Sequence, residues 1–490
     1  MDFQEDYIVF EKILIANRGE IAVRVIRTCR EMGIRTVAVY SDVDIDALHV
    51  RLADEAYRIG PAEAARSYLD MEAILNVATQ AHVDAIHPGY GFLSENPAFA
   101  EMCVAQDIAF IGPSCTCMSR AKPKDKARRI AKAINIPVVP GSEGAIICDA
   151  QGIGINRAIE IARAIGYPVI VKPSGGGGGI GMKIAESRPE LISAIRHATM
   201  RGKKAFGLSS FYIEKYLPGV KHVEMQVLAD THGTIVHVGD RDCSIQRRFQ
   251  KLIEEAPCPM LTPFTRLKMG RAAIKLAGAL HCDSLMTVEF LYSPATEQFF
   301  FNEVNCRLQV EHSITELATG IDMVKEQIRI GAGEHLGFTQ DHIRFQAHAM
   351  ECRITAEDYR NNFLPSPGII AHLHLPHGLG VRVDEGIDEG TEISLSYDSM
   401  IFKLITWGNN RDEALSRMKR ALGETCIEGV TTTLPFHRQA IETVDFECGN
   451  YTTDFVSGML NQAPSSPRDV FAAEVRPPDS SAHRVVNGPW

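Results

Sequence analysis

No apolar run in this chain of 490 residues approaches the ~18 that a membrane-spanning helix needs, so no membrane association is expected. The acidic start MDFQEDY has neither a basic nor an apolar targeting segment, and the expected compartment is the cytoplasm. Positive charge is also short: 51 Lys and Arg stand against 61 Asp and Glu, a net charge of -10. Without a basic field to hold a phosphate backbone, nucleic acid is not an expected partner, despite the local run Gln246-Arg247-Arg248. The 12 cysteines contain no CxxC pair, and Cys115-Thr116-Cys117 has no second pair at zinc-site spacing, so they read as reduced structural thiols. GxxxxGK[ST] is missing, which argues against a P-loop. Where a dinucleotide fold would place GxGxxG, after the first strand, only Asn17-Arg18-Gly19-Glu20 stands, and a dehydrogenase becomes unfavoured.

The chain does have enough hydrophobic residues, 45%, for a large core, and its length exceeds the ~250 to 300 residues at which one core stops growing. Two or three packed domains are expected. KILIANRGEIAVRVIRTCREMGIRTVAVYSD reads as strand, amphipathic helix, Gly33 stop and strand, the pattern of a parallel βαβ unit. A helix near Tyr68 to Gln80, the strand VDAIHPG and the turn-rich HPGYGFLSEN follow. A basic helix around Arg120 to Ala133 leads to IPVVPGS, placing a boundary between Lys124 and Gly141. From GYPVIVKP the pattern predicts strands and hairpins to about Glu311, then helices to about Gly333. A last block from Ala347 holds the strands ECRITAED, VRVDEGI and YDSMIFKLITWG and the helix DEALSRMKRALGE.

Glycines 175 to 179 follow the strand PVIVKP, and such a loop lets several backbone N–H groups approach a phosphate because no Cβ intrudes. A linker would be glycine-rich too. Lys172 at the strand's end, placed to pair with a phosphate, favours nucleotide binding. In NEVNCRLQVEH, Glu303, Asn305, Arg307, Gln309 and Glu311 alternate with apolar residues, so period two puts all five on one strand face. A solvated face would alternate likewise, but five charged or amide groups in a row are an unusual way to make one. TVEFLY and FFFNEVN flank the turn SPATEQ, and a hairpin centred near residue 296 sets Glu289 opposite Glu303. Like charges so placed need compensation, which magnesium held by Glu289, Glu303 and Asn305 would supply through hard oxygen ligands. Glu214, Lys215 and Leu217 sit at a strand end suited to an adenine. Lys251 can hold a small anion, although a charged surface helix is the ordinary reading of its segment.

Together these motifs resemble the biotin carboxylases, ATP-grasp enzymes. The resemblance runs from about Lys12 to Thr433 and rests on IANRGEIA, HPGYGFLSEN, SGGGGG, EKYL, RDCS, QRR, EEAP, QVEH, ECRI, FLPSPG and YDSM. It implies an α/β and α+β architecture: an N-terminal parallel-sheet domain (1–123), an ATP-grasp domain (124–335) with a lid (about 140–216) and a C-terminal domain (336–462); the tail (463–490), rich in Pro, Ser and charge, is expected to be disordered from its composition. It implies ATP binding by Lys124, Lys172, Gly178, Gly179, Glu214, Lys215, Tyr216, Leu217, His222, Gln246 and Phe249, with magnesium or manganese on Glu289, Glu303 and Asn305. Lys251, Arg307, Gln309, the backbone of Val310 and Glu311 would surround bicarbonate, and Tyr90 and Arg353 would contact biotin. Arg24 and Glu31 fall where the family forms its homodimer. Glu311 is then the base for bicarbonate, and Arg353 stabilises the biotin enolate.

Biotin would be carried by a biotin carboxyl carrier protein and pass its carboxyl group to carboxyltransferase subunits, most commonly those of acetyl-CoA carboxylase. No AMKM-type biotinyl site occurs; Met418-Lys419 lies in a predicted helix. Departures from the family pattern are Pro123, Ile180, Phe249, Asn302 and Thr433, with Lys126 competing with Lys124 as the ATP lysine. Two alternatives stand beside this reading: another ATP-grasp ligase, and a degenerate nucleotide-binding paralogue.

Overall fold

The computed structural model describes residues 10–147, 153–173, 181–206, 210–248 and 250–462; Gly178, Gly179, Ile180, Phe249 and the tail from residue 463 lie outside them. The first sheet has five parallel strands in the order β3-β2-β1-β4-β5: β1 (Lys12–Ile15), β2 (Arg35–Ser41), β3 (Glu55–Gly60), β4 (Ala85–His87) and β5 (Ala109–Phe110). Its central strand is covered on both faces. Ile13, Leu14 and Ile15 are fully buried, which is why β1 reads as an unbroken apolar run. The helix Gly19–Glu31 turns Ile21, Ala22, Val25 and Ile26 inward. Its N-terminus lies against Gly386, where a Cβ would stand 2.4 Å from the backbone nitrogen of Glu20. That close approach docks the first domain onto the end of a C-terminal strand.

A smaller antiparallel sheet, order β6-β9-β7-β8, is formed by β6 (Ile146–Ile147), β7 (Val169–Pro173), β8 (Lys183–Ala185) and β9 (Ser210–Lys215). Helices Ile153–Ile165 and Arg188–Phe206 pack on it through Ala158, Ala162, Leu191, Ala194, Ile195 and Ala198. The strand-and-hairpin expectation missed this second helix and also Pro263–Leu280. In both, apolar residues recur at the three-to-four spacing of a helix face, and Thr262 caps the latter by accepting from the Thr265 N–H. Leu191 is fully buried, so its truncation to Ala would cost about 2–5 kcal/mol.

Eight antiparallel strands make the main sheet: β10 (Lys221–Ala229), β11 (Ile235–Arg247), β12 (Gln250–Ala256), β13 (Leu285–Ser293), β14 (Gln298–Asn305), β15 (His348–Thr355) and the strands Val381–Glu385 and Met400–Gly408. The order is β14-β13-β10-β11-β12-β15, then Met400–Gly408, then Val381–Glu385. One ladder therefore runs from the β13–β14 hairpin into the C-terminal third. Glu289 pairs with Glu303 across that hairpin, as the sequence predicts. The alternating strand expected to continue to Glu311 instead ends at Asn305. Cys306, Leu308 and Gln309 are all buried, so the chain leaves the sheet and turns inward, and Glu311 becomes the residue before helix His312–Thr319. Glu303 and Asn305 therefore stay on the strand, and Arg307, Gln309 and Glu311 follow in a turn rather than along the same strand face.

Candidate active site

Four neighbouring strands of the main sheet line up one charged row. Arg241 on β11 stands opposite Glu224 on β10, Glu224 opposite Glu289 on β13, and Glu289 opposite Glu303 on β14. Like charges in register repel, and burial raises that cost unless cations answer them. Arg241, fully buried, donates through Nε to Glu224 at 2.5 Å and through its terminal nitrogens to Gln226, Thr287 and Thr315. Lys251 lies on β12, not on a surface helix. Its Nζ reaches Glu224 at 2.6 Å, Glu311 at 2.5 Å and Glu289 at 3.4 Å.

Arg353 on β15 closes the other side. Its Nε donates to Glu254 at 2.6 Å and a terminal nitrogen to Glu311 at 2.8 Å, so Glu311 is clamped between an ammonium and a guanidinium. Burial pushes the Glu311 carboxyl up, but Lys251, Arg353 and Arg241 outweigh it and hold the group well below the usual carboxylate range. Glu311 is ionised where almost no water reaches it. Arg307 leans on Glu95 of the FLSEN turn at 3.2 Å and on the Gln309 side-chain oxygen at 3.0 Å. The Lys403 Nζ donates to the Val310 carbonyl at 2.9 Å. Two buried polar atoms at these positions have no protein partner, the Tyr90 hydroxyl and the Gln309 amide nitrogen, as expected of groups that meet a ligand.

On the nucleotide side, Lys172 of β7 and Arg128 both donate to Glu214 of β9, at 2.6 and 2.9 Å. Burial raises the Glu214 carboxyl, and the two cations bring it below its ordinary value. Lys124 bonds Glu303, whereas Lys126 turns to the Ser119 carbonyl, which favours Lys124 of the two candidates. His222 meets Glu289 at 2.9 Å and Gln246 at 3.4 Å. Burial alone would lower the His222 imidazole, but the facing Glu289 carboxylate raises it. Lys215 caps the Gly166 and Tyr167 carbonyls, and the Tyr216 hydroxyl reaches Asp454, so these two side chains are engaged locally; Leu217 follows in the loop beyond β9.

Glu289 and Glu303, with Asn305 donating to Glu289 at 2.8 Å, fit a magnesium site: they offer hard oxygens, and the cations now facing them mark where positive charge is required. Several groups of this centre escaped the sequence reading. Glu224, Glu351 and Lys403 stand in strands that otherwise read as core, where a charge inside an apolar run is the signal available; Arg241 and Glu254 stand beside other charged residues, in GDRDCS and KLIEEAP, and carry no such signal. Arg24 and Glu31 line a separate concavity of about 360 Å3, with Glu316, Asp322 and Arg382.

A carboxylate-bearing antiparallel sheet beside a smaller sheet whose lysine-ended strand leads into a glycine loop defines an ATP-grasp ligase. Family models match in three consecutive blocks: biotin carboxylase N-terminal domain over residues 9–118, carbamoyl-phosphate synthase L chain ATP-binding domain over 123–339, and biotin carboxylase C-terminal domain over 351–458. The central block is shared among ligases, and the flanking two discriminate. The chain is 50% identical over 91% of its length to biotin carboxylase 1 of Bacillus subtilis, 98% of which is covered. It is equally 50% identical over 91% of its length to a pyruvate carboxylase subunit of Methanothermobacter thermautotrophicus, with 90% of that protein covered. Among solved structures, a biotin carboxylase–beta-gamma-ATP complex from Campylobacter jejuni superposes with a TM-score of 0.88 at 43% identity, covering 92% of this chain and 99% of that one. The biotin carboxylase domain dimer of Hydrogenobacter thermophilus 2-oxoglutarate carboxylase, with MgADP and bicarbonate, gives 0.87 at 43%, covering 93% and 99%. This chain belongs to the biotin carboxylase family.

Proposed function

We propose that the protein uses ATP and bicarbonate to carboxylate biotin on a carrier protein in the cytoplasm, as the first half-reaction of acetyl-CoA carboxylation. The observation that carries the chemistry is the buried, ionised Glu311 held between Lys251 and Arg353. A carboxylate so clamped is a weak base. A bicarbonate ion entering beside Lys251, Arg307 and Gln309 competes for these cations, and each contact it takes from Glu311 returns basicity to that carboxylate. Glu311 then accepts the bicarbonate proton, and the carbonate oxygen attacks the γ-phosphoryl of ATP, with ADP leaving and carboxyphosphate forming. Lys124, Lys172 and His222 lie on the nucleotide side to bind its phosphates. Magnesium on Glu289, Glu303 and Asn305 would neutralise phosphate charge.

Carboxyphosphate breaks into carbon dioxide and phosphate, and the phosphate takes the proton from the biotin ureido nitrogen. Arg353 stabilises the resulting enolate, whose nitrogen bonds the carbon dioxide; Tyr90 contacts the ring. The glycine loop after Lys172 would close over the intermediate and exclude water. The face with Arg24 and Glu31 pairs two subunits, and carboxyltransferase subunits take the product. Phosphate release that depends on bicarbonate and rises with free biotin is the expected result; release indifferent to both would overturn the reading. Identity to the Bacillus biotin carboxylase equals that to the Methanothermobacter pyruvate carboxylase protein, so the acceptor is tested separately. Pull-down should recover the biotinylated carrier of acetyl-CoA carboxylase, and recovery of a pyruvate carboxylase carrier would replace that acceptor.

A further inference from the structure

Glu254 and Glu351 are two buried carboxyl groups that the reaction above leaves unused. They face each other across β12 and β15, in register, and are 1% and 0% exposed. One oxygen of Glu254 and both of Glu351 have no hydrogen-bond partner. Burial drives the Glu351 carboxyl well above its ordinary range despite Lys403, so it is the neutral member of the pair. Glu254 spends its other oxygen entirely on Arg353, which approaches it at 2.6 Å through Nε and 2.5 Å through a terminal nitrogen. The Arg353 backbone carbonyl is held by His437 at 2.7 Å and Thr433 at 3.3 Å.

We propose that Glu254 is the positioning residue for Arg353: it anchors the Nε edge of the guanidinium so that the rest can pass from Glu311 to the biotin enolate without the side chain losing its place. The geometry divides the guanidinium unequally. Nε bonds Glu254, and one terminal nitrogen bonds Glu254 at 2.5 Å and Glu311 at 2.8 Å, so a substrate that displaces Glu311 recruits a nitrogen that Glu254 still holds in place. Glu351, being neutral, leaves Glu254 as the sole carboxylate in the pair, so the anchor is not weakened by a second charge beside it. This inference rests on the biotin carboxylase reading and adds a residue to it.

Ionisation of Glu254 sets the anchor's strength. Burial raises the carboxyl to about 7; Arg353 and Lys251 oppose that, and Glu311 adds to it. The other groups facing it are Glu351, Lys403 behind Glu351, and the buried thiols Cys243 and Cys352, both held protonated by burial. A carboxyl with a raised value is neutral below about 7 and charged above. The biotin-stimulated rate should therefore rise with pH through about 7 as the anchor forms.

The test compares the full-length protein with Glu254→Gln and Glu254→Asp, using free biotin and measuring ATP cleavage with bicarbonate. Loss of a charge-assisted hydrogen bond predicts a fall in the biotin-stimulated rate of roughly 10- to 150-fold in Glu254→Gln. The KM for ATP should stay within about twofold, which also reports that the variant is folded. The rise near pH 7 should vanish in Glu254→Gln and survive, reduced, in Glu254→Asp. In an Arg353→Lys background, Glu254→Gln should add little, because the two act as one unit. Four outcomes overturn the inference: a biotin-stimulated rate within twofold of the unaltered protein, a pH limb that persists in Glu254→Gln, additive losses in the double variant, or loss of ATP binding in step with activity. If the unaltered protein shows no biotin stimulation, the biotin carboxylase reading itself falls, and this inference with it.

Discussion

The two halves of the site are built differently. Around Glu311 three cations are tied to carboxylates by strands of a single sheet: Arg241, Lys251 and Arg353 come from β11, β12 and β15, the first fully and the other two largely buried. The nucleotide half is divided between two sheets. Lys172 and Glu214 belong to the small sheet, and His222, Gln246 and Glu289 to the large one. The contrast shows where rigidity is required. Groups that exchange a proton act best when fixed against one another, which a single hydrogen-bonded sheet provides; the other half is shared between two sheets with no ladder between them among the described residues.

The comparison can be broken most decisively at Glu311. Glu311→Gln keeps the shape and cannot accept a proton; bicarbonate-dependent turnover should fall by ~10² to 10⁴ while the Kd for ATP stays the same. An equal loss of ATP affinity would join the two halves and make Glu311 a structural or metal residue. Next in size is stability. Arg241→Met leaves Glu224 buried beside other carboxylates with only Lys251 to answer it, and should cost about 3–5 kcal/mol in denaturant unfolding. Lys172→Met, whose partner Glu214 keeps Arg128, should cost no more than about 1 kcal/mol. Similar costs for the two would erase the distinction between a half built in one sheet and a half shared by two.

A third outcome concerns acid. Glu255 on β12 is buried, which raises its carboxyl, but His348 at 2.6 Å and Arg411 at 2.8 Å hold it down to about 2. A carboxyl with a depressed value stabilises the fold above its unfolded value near 4.5, and that contribution fades as pH falls toward 2. The gap corresponds to about 3 kcal/mol, so unfolding free energy should drop over this window and Glu255→Gln should flatten the drop. A window unchanged in Glu255→Gln would show that β12 is anchored by other contacts. The smallest effect belongs to the nucleotide half. Phe249→His should lower the KM for ATP by about 2- to 13-fold, the worth of one neutral hydrogen bond. Unchanged or poorer affinity would mean that Phe249 is compensated by an apolar neighbour.

Much of the fold was legible where local pattern decides it. The first βαβ unit, the 289–303 pairing and the C-terminal strands follow from period and turn chemistry. Two long helices were not, because each was read as part of a strand-rich region although its own spacing was helical. At the site, Glu289, Glu303 and Asn305 could be placed from a hairpin alone. Period two places Arg307, Gln309 and Glu311 on a strand face, but the strand stops at Asn305, and what gathers these residues is a turn with Cys306 and Leu308 buried. The partners of Glu224, Arg241 and Glu254 were illegible for a tertiary reason. Each of these charges is made tolerable by a partner on another strand, and pairing between strands is not written in either one.

The uninterrupted ladder also bears on how such a protein can be recombined. The central and C-terminal family matches part between residues 339 and 351, which suggests an exchangeable join. Yet β15 begins at His348 and pairs with β12 from Ile253 to Ala256, so a chimera joined there must rebuild a register that puts Arg353 beside Glu254 and Glu311. Because a one-residue slip would turn Arg353 to the opposite face, shuffling at that join should yield folded proteins far more often than active ones. Parents whose β12 and β15 evolved together should escape that penalty only when the two strands are inherited as a pair.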